Sequence, residues 1–252
     1  MRTRTNRVAT VALAAAAAVL LTGCQNSADA DGDPAVPAAA SATPSAADNG
    51  VAALTADQIL ARARTALGGA PSYRINGTMN NDGQRATLDV TARGRDLSGA
   101  MAMGPAKVQL LAVGGQQYMK PNEQFWALMG DPKKAKDIAK LVGDRWVKVP
   151  ADDKNLAGLF SVASVGEVLD NSGTVTKGPT KKIDGVPAVG LVDDGTDGGT
   201  LYIATVGEPY PLRIEAPTAG DGRVDFSDFG AAIPELTAPA EADVIDFVEL
   251  AR

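Results

Sequence analysis

Histidine is absent from this 252-residue chain, cysteine occurs once, and aromatic side chains make up 4%. Each scarcity removes a class of chemistry. Without imidazole there is no common general base, no serine–histidine relay and no route to most zinc sites. A single thiol, Cys24, closes no internal disulfide and anchors no multi-thiolate metal centre. The sequence contains no G-x-S-x-G, no S-x-x-K, no phosphate loop and no dinucleotide glycine fingerprint between a strand and a helix. Carboxylates are the remaining catalytic candidates. VDDGTDGG, with Asp193, Asp194 and Asp197, superficially resembles a calcium loop, but an EF-hand counted from Asp193 has glycine third and Ala204 where a bidentate glutamate belongs. It reads as a hairpin turn. Asp152-Asp153 reads as a solvated loop or helix cap, and the chain is taken to be no enzyme, with no metal and no cofactor.

The cysteine instead follows an export pattern. MRTRTNR carries three arginines and no acid, VATVALAAAAAVLL is apolar, and LTGC places small residues before Cys24. The apolar run is shorter than the roughly 20 residues a membrane span requires. LTGC resembles the lipobox of bacterial lipoproteins, which implies that residues 1–23 are a signal peptide and that Cys24 receives diacylglyceryl and acyl groups. The expected address is the extracytoplasmic face of the cell membrane. Removal of residues 1–23 leaves 21 basic against 30 acidic residues, which disfavours nucleic acid and electrostatic adhesion to anionic lipid. The composition suggests a GC-rich bacterial source.

Residues 24–52 are expected to form a disordered, lipidated tether, since they lack aromatic residues and apolar periodicity. Residues 53–252 are expected to form one domain. Thr55 and Gln58 spell a capping box, with Leu54 and Ile59 as its hydrophobic staple, and Gly68-Gly69 stops the helix. A second helix is predicted from Asp131 and Pro132 to Gly143, with Ile138, Leu141 and Val142 on one face. Its KKAK lysines read as a solvated face. A short third helix is predicted from Ser164, with Glu167 completing another capping box.

Between these lie short alternating segments separated by glycine-rich turns, the spacing of an antiparallel meander. Leu88 and Val90 alternate with Asp89 and Thr91, Leu212 and Ile214 with Arg213 and Glu215, Val224 and Phe226 with Asp225 and Ser227. The fold class is therefore α+β: a single domain whose curved antiparallel sheet is covered on its apolar face by a few helices. Trp126, Trp146, Tyr118 and Phe125 read as core or rim packing.

WVKVP (146–150), GTLYIATVGEPYPLRIEAP (199–217) and VDFSDFG (224–230) resemble the actinobacterial LppX/LprAFG lipoprotein family, over roughly residues 53–238. That resemblance implies a half-barrel similar to the Lol carriers, enclosing an apolar cavity for an acylated lipid or lipoglycan. Strand alternation supplies the lining candidates: Leu88, Val90, Val108, Leu110, Leu201, Ile203, Leu212, Ile214, Val224 and Phe226. A closed core would use the same side chains. The competing expectation is a tethered module with a filled core, docking on an envelope protein or acting as a sensor.

Overall fold

A computed structural model describes residues 47–81, 84–150, 153–195, 198–218 and 220–247. The expected signal segment, Cys24, most of the expected tether, Asp152 and Asp197 lie outside the described residues.

The first helix, α1 (Ala56–Gly69), carries the expected capping box: Thr55 Oγ1 accepts from the Gln58 amide, and Gln58 Oε1 accepts from the Thr55 amide at 3.1 Å. Ile59, Leu60, Ala63 and Leu67 form its buried stripe. Described residues on the near side of the expected boundary at 53 also pack on the domain. Asn49 donates through its side-chain amide to the carbonyls of Ala204 and Gly207, and Val51 is wholly buried.

Strands β1 (Tyr73–Asn81), β2 (Gln84–Arg93), β3 (Asp96–Met103), β4 (Ala106–Val113) and β5 (Gln116–Pro121) form the expected meander. Helices α2 (Glu123–Met129) and α3 (Pro132–Val142) follow, then β6 (Trp146–Val149), α4 (Lys154–Phe160) and α5 (Val165–Val168). The chain returns through β7 (Val175–Ile183), β8 (Val186–Asp193), β9 (Gly199–Ala204), β10 (Pro211–Glu215), β11 (Gly222–Ser227) and β12 (Val244–Asp246). All twelve strands make one open, curved sheet in the order β12-β6-β5-β4-β3-β2-β1-β11-β10-β9-β8-β7. Its neighbours run antiparallel except β12, which lies parallel to β6.

Three helical expectations change. Asp131 caps α3 as predicted, but Ala135 and Val142 carry its buried stripe, Ile138 is half-buried and Leu141 is 55% exposed, because the flank packed against the domain runs through Ala135, Ile138, Ala139 and Val142 and leaves Leu141 at its edge. Ser164 precedes α5 without a side-chain capping bond, and that helix is a single turn. Helices α2 and α4 add to the three that the sequence pattern announces. Asn122 builds the first of these: its Oδ1 accepts from the amides of Phe125 and Lys107, each at 2.9 Å, while Nδ2 donates to the Pro105 carbonyl at 2.9 Å. One side chain therefore fixes both the helix start and the preceding β3–β4 turn.

The curvature has a local cause in two strand-interior glycines. An added Cβ at Gly77 would lie 2.6 Å from the Val224 Cα, and one at Gly99 would lie 2.6 Å from the Val90 Cα. Backbones approach there as only glycine permits, so the sheet bends along its middle. After β11 the chain crosses the outer face to reach β12. Ser72 Oγ donates to the Ala231 carbonyl at 2.7 Å, and Ala231–Pro234 lie beside Arg74, Asp89, Thr91 and Ser98. At the far edge, the β7–β8 register shifts between Lys177 and Thr180, where Gly178-Pro179 bulges out.

Candidate lipid-binding face

Cross-strand pairing places the predicted residues in rows on the face that carries the helices. One row runs Val224, Gly77, Leu88, Met101, Val108; the next runs Phe226, Ile75, Val90, Gly99, Leu110, Met119, Val147. Leu201 and Ile214 pair directly, and Ile203 pairs with Val189 on the same inner face. Nine of the ten candidates therefore share one surface.

Leu212 does not. The β9–β10 register shifts between Pro211 and Arg213, so the alternation that would have aligned Leu212 with Ile214 is broken. Leu212 packs on the outer face with Ile183, Ala188 and Tyr202. A bulge of one residue reverses a side chain, and no hydrophobic pattern announces it.

The inner face holds two apolar clusters. The first joins Val90, Val108, Leu110, Met119 and Val147 to Phe125 and Trp126 of α2, Ala135 and Val142 of α3, and Leu156 and Phe160 of α4. The second joins Ile75, Val224, Phe226, Val189, Leu191 and Ile203 to the buried stripe of α1. Half-buried Leu88 packs against both. Above this seam, α4 contributes to the first cluster, a single 3-10 turn (Ser161–Ala163) touches β2, and Val165, Val168 and Leu169 pack against the second.

The clusters are closed. A side chain facing a void wide enough for an acyl chain would present accessible surface to it, yet Val90, Ile203, Met119 and Val147 present none and Leu110 only 1%. These positions act as core in this conformation. The half-buried residues, Leu88, Met101, Leu201 and Ile214, lie between or beside the clusters. At one end of the seam a cavity of about 310 Å³ is lined by Tyr73, Ala92, Leu97, Phe160, Ser164 and Val165, among others. Burial raises the Tyr73 phenol above its ordinary value.

Charge is concentrated on the outer face. Arg213 pairs with Asp225, Asp184 (3.1 Å) and Glu215 (3.9 Å), Lys181 pairs with Glu215 at 2.7 Å, and Arg74 grips both Asp89 oxygens at 2.7 Å. The hydrogen bond from Arg74, against a smaller effect of burial, holds the Asp89 carboxyl below its ordinary value. At the former calcium-loop candidate, burial pushes the Asp193 carboxyl up. Backbone N–H groups of Gly195, Ser172 and Gly173, with the Ser172 hydroxyl, outweigh that and hold it low. Asp194 accepts from the Thr174 amide at 2.7 Å. Both carboxylates are committed to the turn. Asp153 likewise caps α4, accepting from the Leu156 amide at 3.2 Å. Among the described residues no group of three or more Asp, Glu, Cys or His could hold a metal ion.

Among the described residues, two polar atoms on this face have no hydrogen-bond partner: the Trp126 indole Nε1 and the Gln117 Oε1 are both buried and unpaired. The sequence pattern assigns Trp126 to packing alone. The available signal is parity, since Gln117 alternates with Met119 and so points inward within QQYMK.

No protein-family model matches the chain, and no curated protein does. Among solved structures it is similar to LprF from Mycobacterium bovis, with 19% identity, a TM-score of 0.45, and coverage of 73% of this chain and 96% of that one. It is similar to the Mycobacterium tuberculosis lipoprotein LppX, with 17% identity, a TM-score of 0.43, and coverage of 70% and 97%. It is also similar to MucB, solved alone and with MucA, where the first of these has 18% identity, a TM-score of 0.42, and coverage of 74% of this chain and 63% of that one. LprF and LppX belong to the lipoprotein family that the sequence resembles.

Proposed function

We propose that this protein is a non-enzymatic lipid carrier, held on the extracytoplasmic face of the membrane by acyl groups on Cys24, that takes an acylated lipid or lipoglycan between its two inner clusters. One observation carries the reading: the helix-covered face is divided into two apolar clusters, joined by half-buried Leu88 and roofed by a broken helical segment, α4–turn–α5. A broken roof can swing away where a continuous helix would not.

Magnitudes favour it. Lifting the roof exposes Leu156, Phe160 and Leu169, each at most 6% accessible, at about 1.5–3 kcal/mol apiece, or about 5–9 kcal/mol together. A 16-carbon chain leaving water contributes roughly 13 kcal/mol before ordering costs. The lipid can replace what the roof gives up. The inner residues Val90, Val108, Leu110, Ile203, Val224 and Phe226, now closed core, would then become lining beside Leu88, Leu201 and Ile214.

The closed clusters also favour a second reading, a tethered interaction module with no lipid ligand. The exposed Leu128, Met129 and Leu141 of α2 and α3 would supply its docking surface. Native mass spectrometry of the full chain made in an actinobacterial host separates the two. A bound lipid in stoichiometric amount, lost in Leu110→Trp, supports carriage; a ligand-free mass that takes up no added lipid supports docking. Cys24→Ala is expected to leave an unprocessed or mislocalised chain, and normal attachment of that variant would refute the anchor.

A further inference from the structure

In a lipid carrier, and the role assigned here depends on that reading, the unpaired Trp126 and Gln117 atoms identify which part of the lipid is held and where. Trp126 is 6% exposed, stacks on Phe247 with ring centroids 6.4 Å apart, and meets Phe125 edge-on. Gln117 pairs across the sheet with Val149 and Ala112. Phe247 directly follows β12, whose Asp246 pairs with Lys148 in parallel register, so the chain brings Phe247 abreast of Val149. Trp126, Val149 and Ala112 all belong to the first cluster, with Phe247 packed against it, so Trp126 and the two cross-strand partners of Gln117 share one apolar body. A buried donor and a buried acceptor stand around one apolar centre at the end of the first cluster.

A core that needed only packing would not leave both unmatched, because each unpaired atom forfeits its hydration without recovering a bond. We infer that this pair receives the polar end of the ligand: an acyl ester whose carbonyl accepts from Trp126 Nε1–H, with a hydroxyl of the same ligand that donates to Gln117 Oε1. The hydrocarbon tail then extends under α4 toward the seam at Leu88. An indole N–H can only donate and this amide oxygen only accepts, so the ligand must offer one acceptor and one donor. A free alkane offers neither.

The test compares 1-monopalmitoylglycerol with its ether analogue 1-O-hexadecylglycerol, titrated into the full chain by native mass spectrometry. The ester and ether share tail and hydroxyls but differ in the carbonyl. The wild-type chain is expected to prefer the ester by about fivefold to tenfold, the range of one hydrogen bond. Trp126→Phe should abolish that preference by weakening ester binding alone, whereas Gln117→Met should weaken both lipids to a similar degree. In Trp146→Phe, where Trp126 is the sole indole, its N–H proton resonance should move with the ester and not with the ether; this readout is independent of whether the Trp126 variant folds. Equal binding of ester and ether by the wild type, with no change in Trp126→Phe, would overturn the linkage site while leaving carriage intact. No binding of either lipid would overturn both.

Discussion

Leu110→Ala and Leu212→Ala remove the same atoms from strand residues of similar sequence character, yet they should differ severalfold in cost. Leu110 is 1% exposed inside the larger cluster, and the residue across the β3–β4 ladder from it is Gly99, which has no side chain to move into the vacated space. Collapse is therefore limited, and the loss should be about 3–4 kcal/mol. Leu212 is half-buried on the outer face against three residues, so its loss should be about 1 kcal/mol. With a urea slope of about 2.5 kcal/mol/M, the midpoint should fall by about 1.2–1.6 M for Leu110→Ala and about 0.4 M for Leu212→Ala, with unchanged slopes. Equal shifts would refute the placement of Leu212 on the outer face, and with it the β10 bulge.

Asn122→Ala removes the α2 cap and both bonds to the Pro105–Lys107 turn, so it should cost about 2 kcal/mol and lower Tm by about 4–8 °C; a shift under about 2 °C by calorimetry would contradict the hub role. Gly99→Ala forces a Cβ against the β2 backbone and should cost more than about 2 kcal/mol, whereas Gly68→Ala, with open space around it in α1, should stabilise by about 0.5–1 kcal/mol. Chemical denaturation of both variants tests the contrast. The depressed Asp89 carboxyl contributes stability that is fully present above the ordinary value of about 4 and is lost as pH falls through its lower folded value. Because the Arg74–Asp89 pair is about half exposed, Asp89→Asn should change stability at pH 7 by less than about 1 kcal/mol while flattening the acid side of the stability profile. An unchanged acid limb would remove the pair from the account.

The elements legible in the sequence are those whose information is local. Thr55 and Gln58 specify the start of α1 within four residues, and alternation through Leu88 and Val90 or Val224 and Phe226 specifies which side of a strand is buried. What escapes depends on partners distant along the chain. Strand alternation turns Leu212 inward, while its true parity depends on a register shift against β9. Helical spacing alone places Leu141 inward, while the packing of α3 on the first cluster selects Ala135 and Val142. The division of the inner face into two clusters follows from where the short helices land, and the isolation of Trp126 Nε1 from a neighbourhood assembled from α2 and the residue after β12. Neither is written in a motif.

An open sheet has two ends, and each is a template on which another chain could pair and polymerise. At one end β12 spans three residues, too short to seed a lasting ladder. At the other, β7 is nine residues long, but Gly178-Pro179 interrupts its register, Pro179 has no amide hydrogen to offer, and exposed Lys177, Lys181 and Lys182 place positive charge along the same strand. Two copies meeting at β7 would bring like charges together across a ladder that already lacks a rung. The bulge that looks like a flaw in strand pairing is therefore also what makes this long open edge a poor template for a second copy.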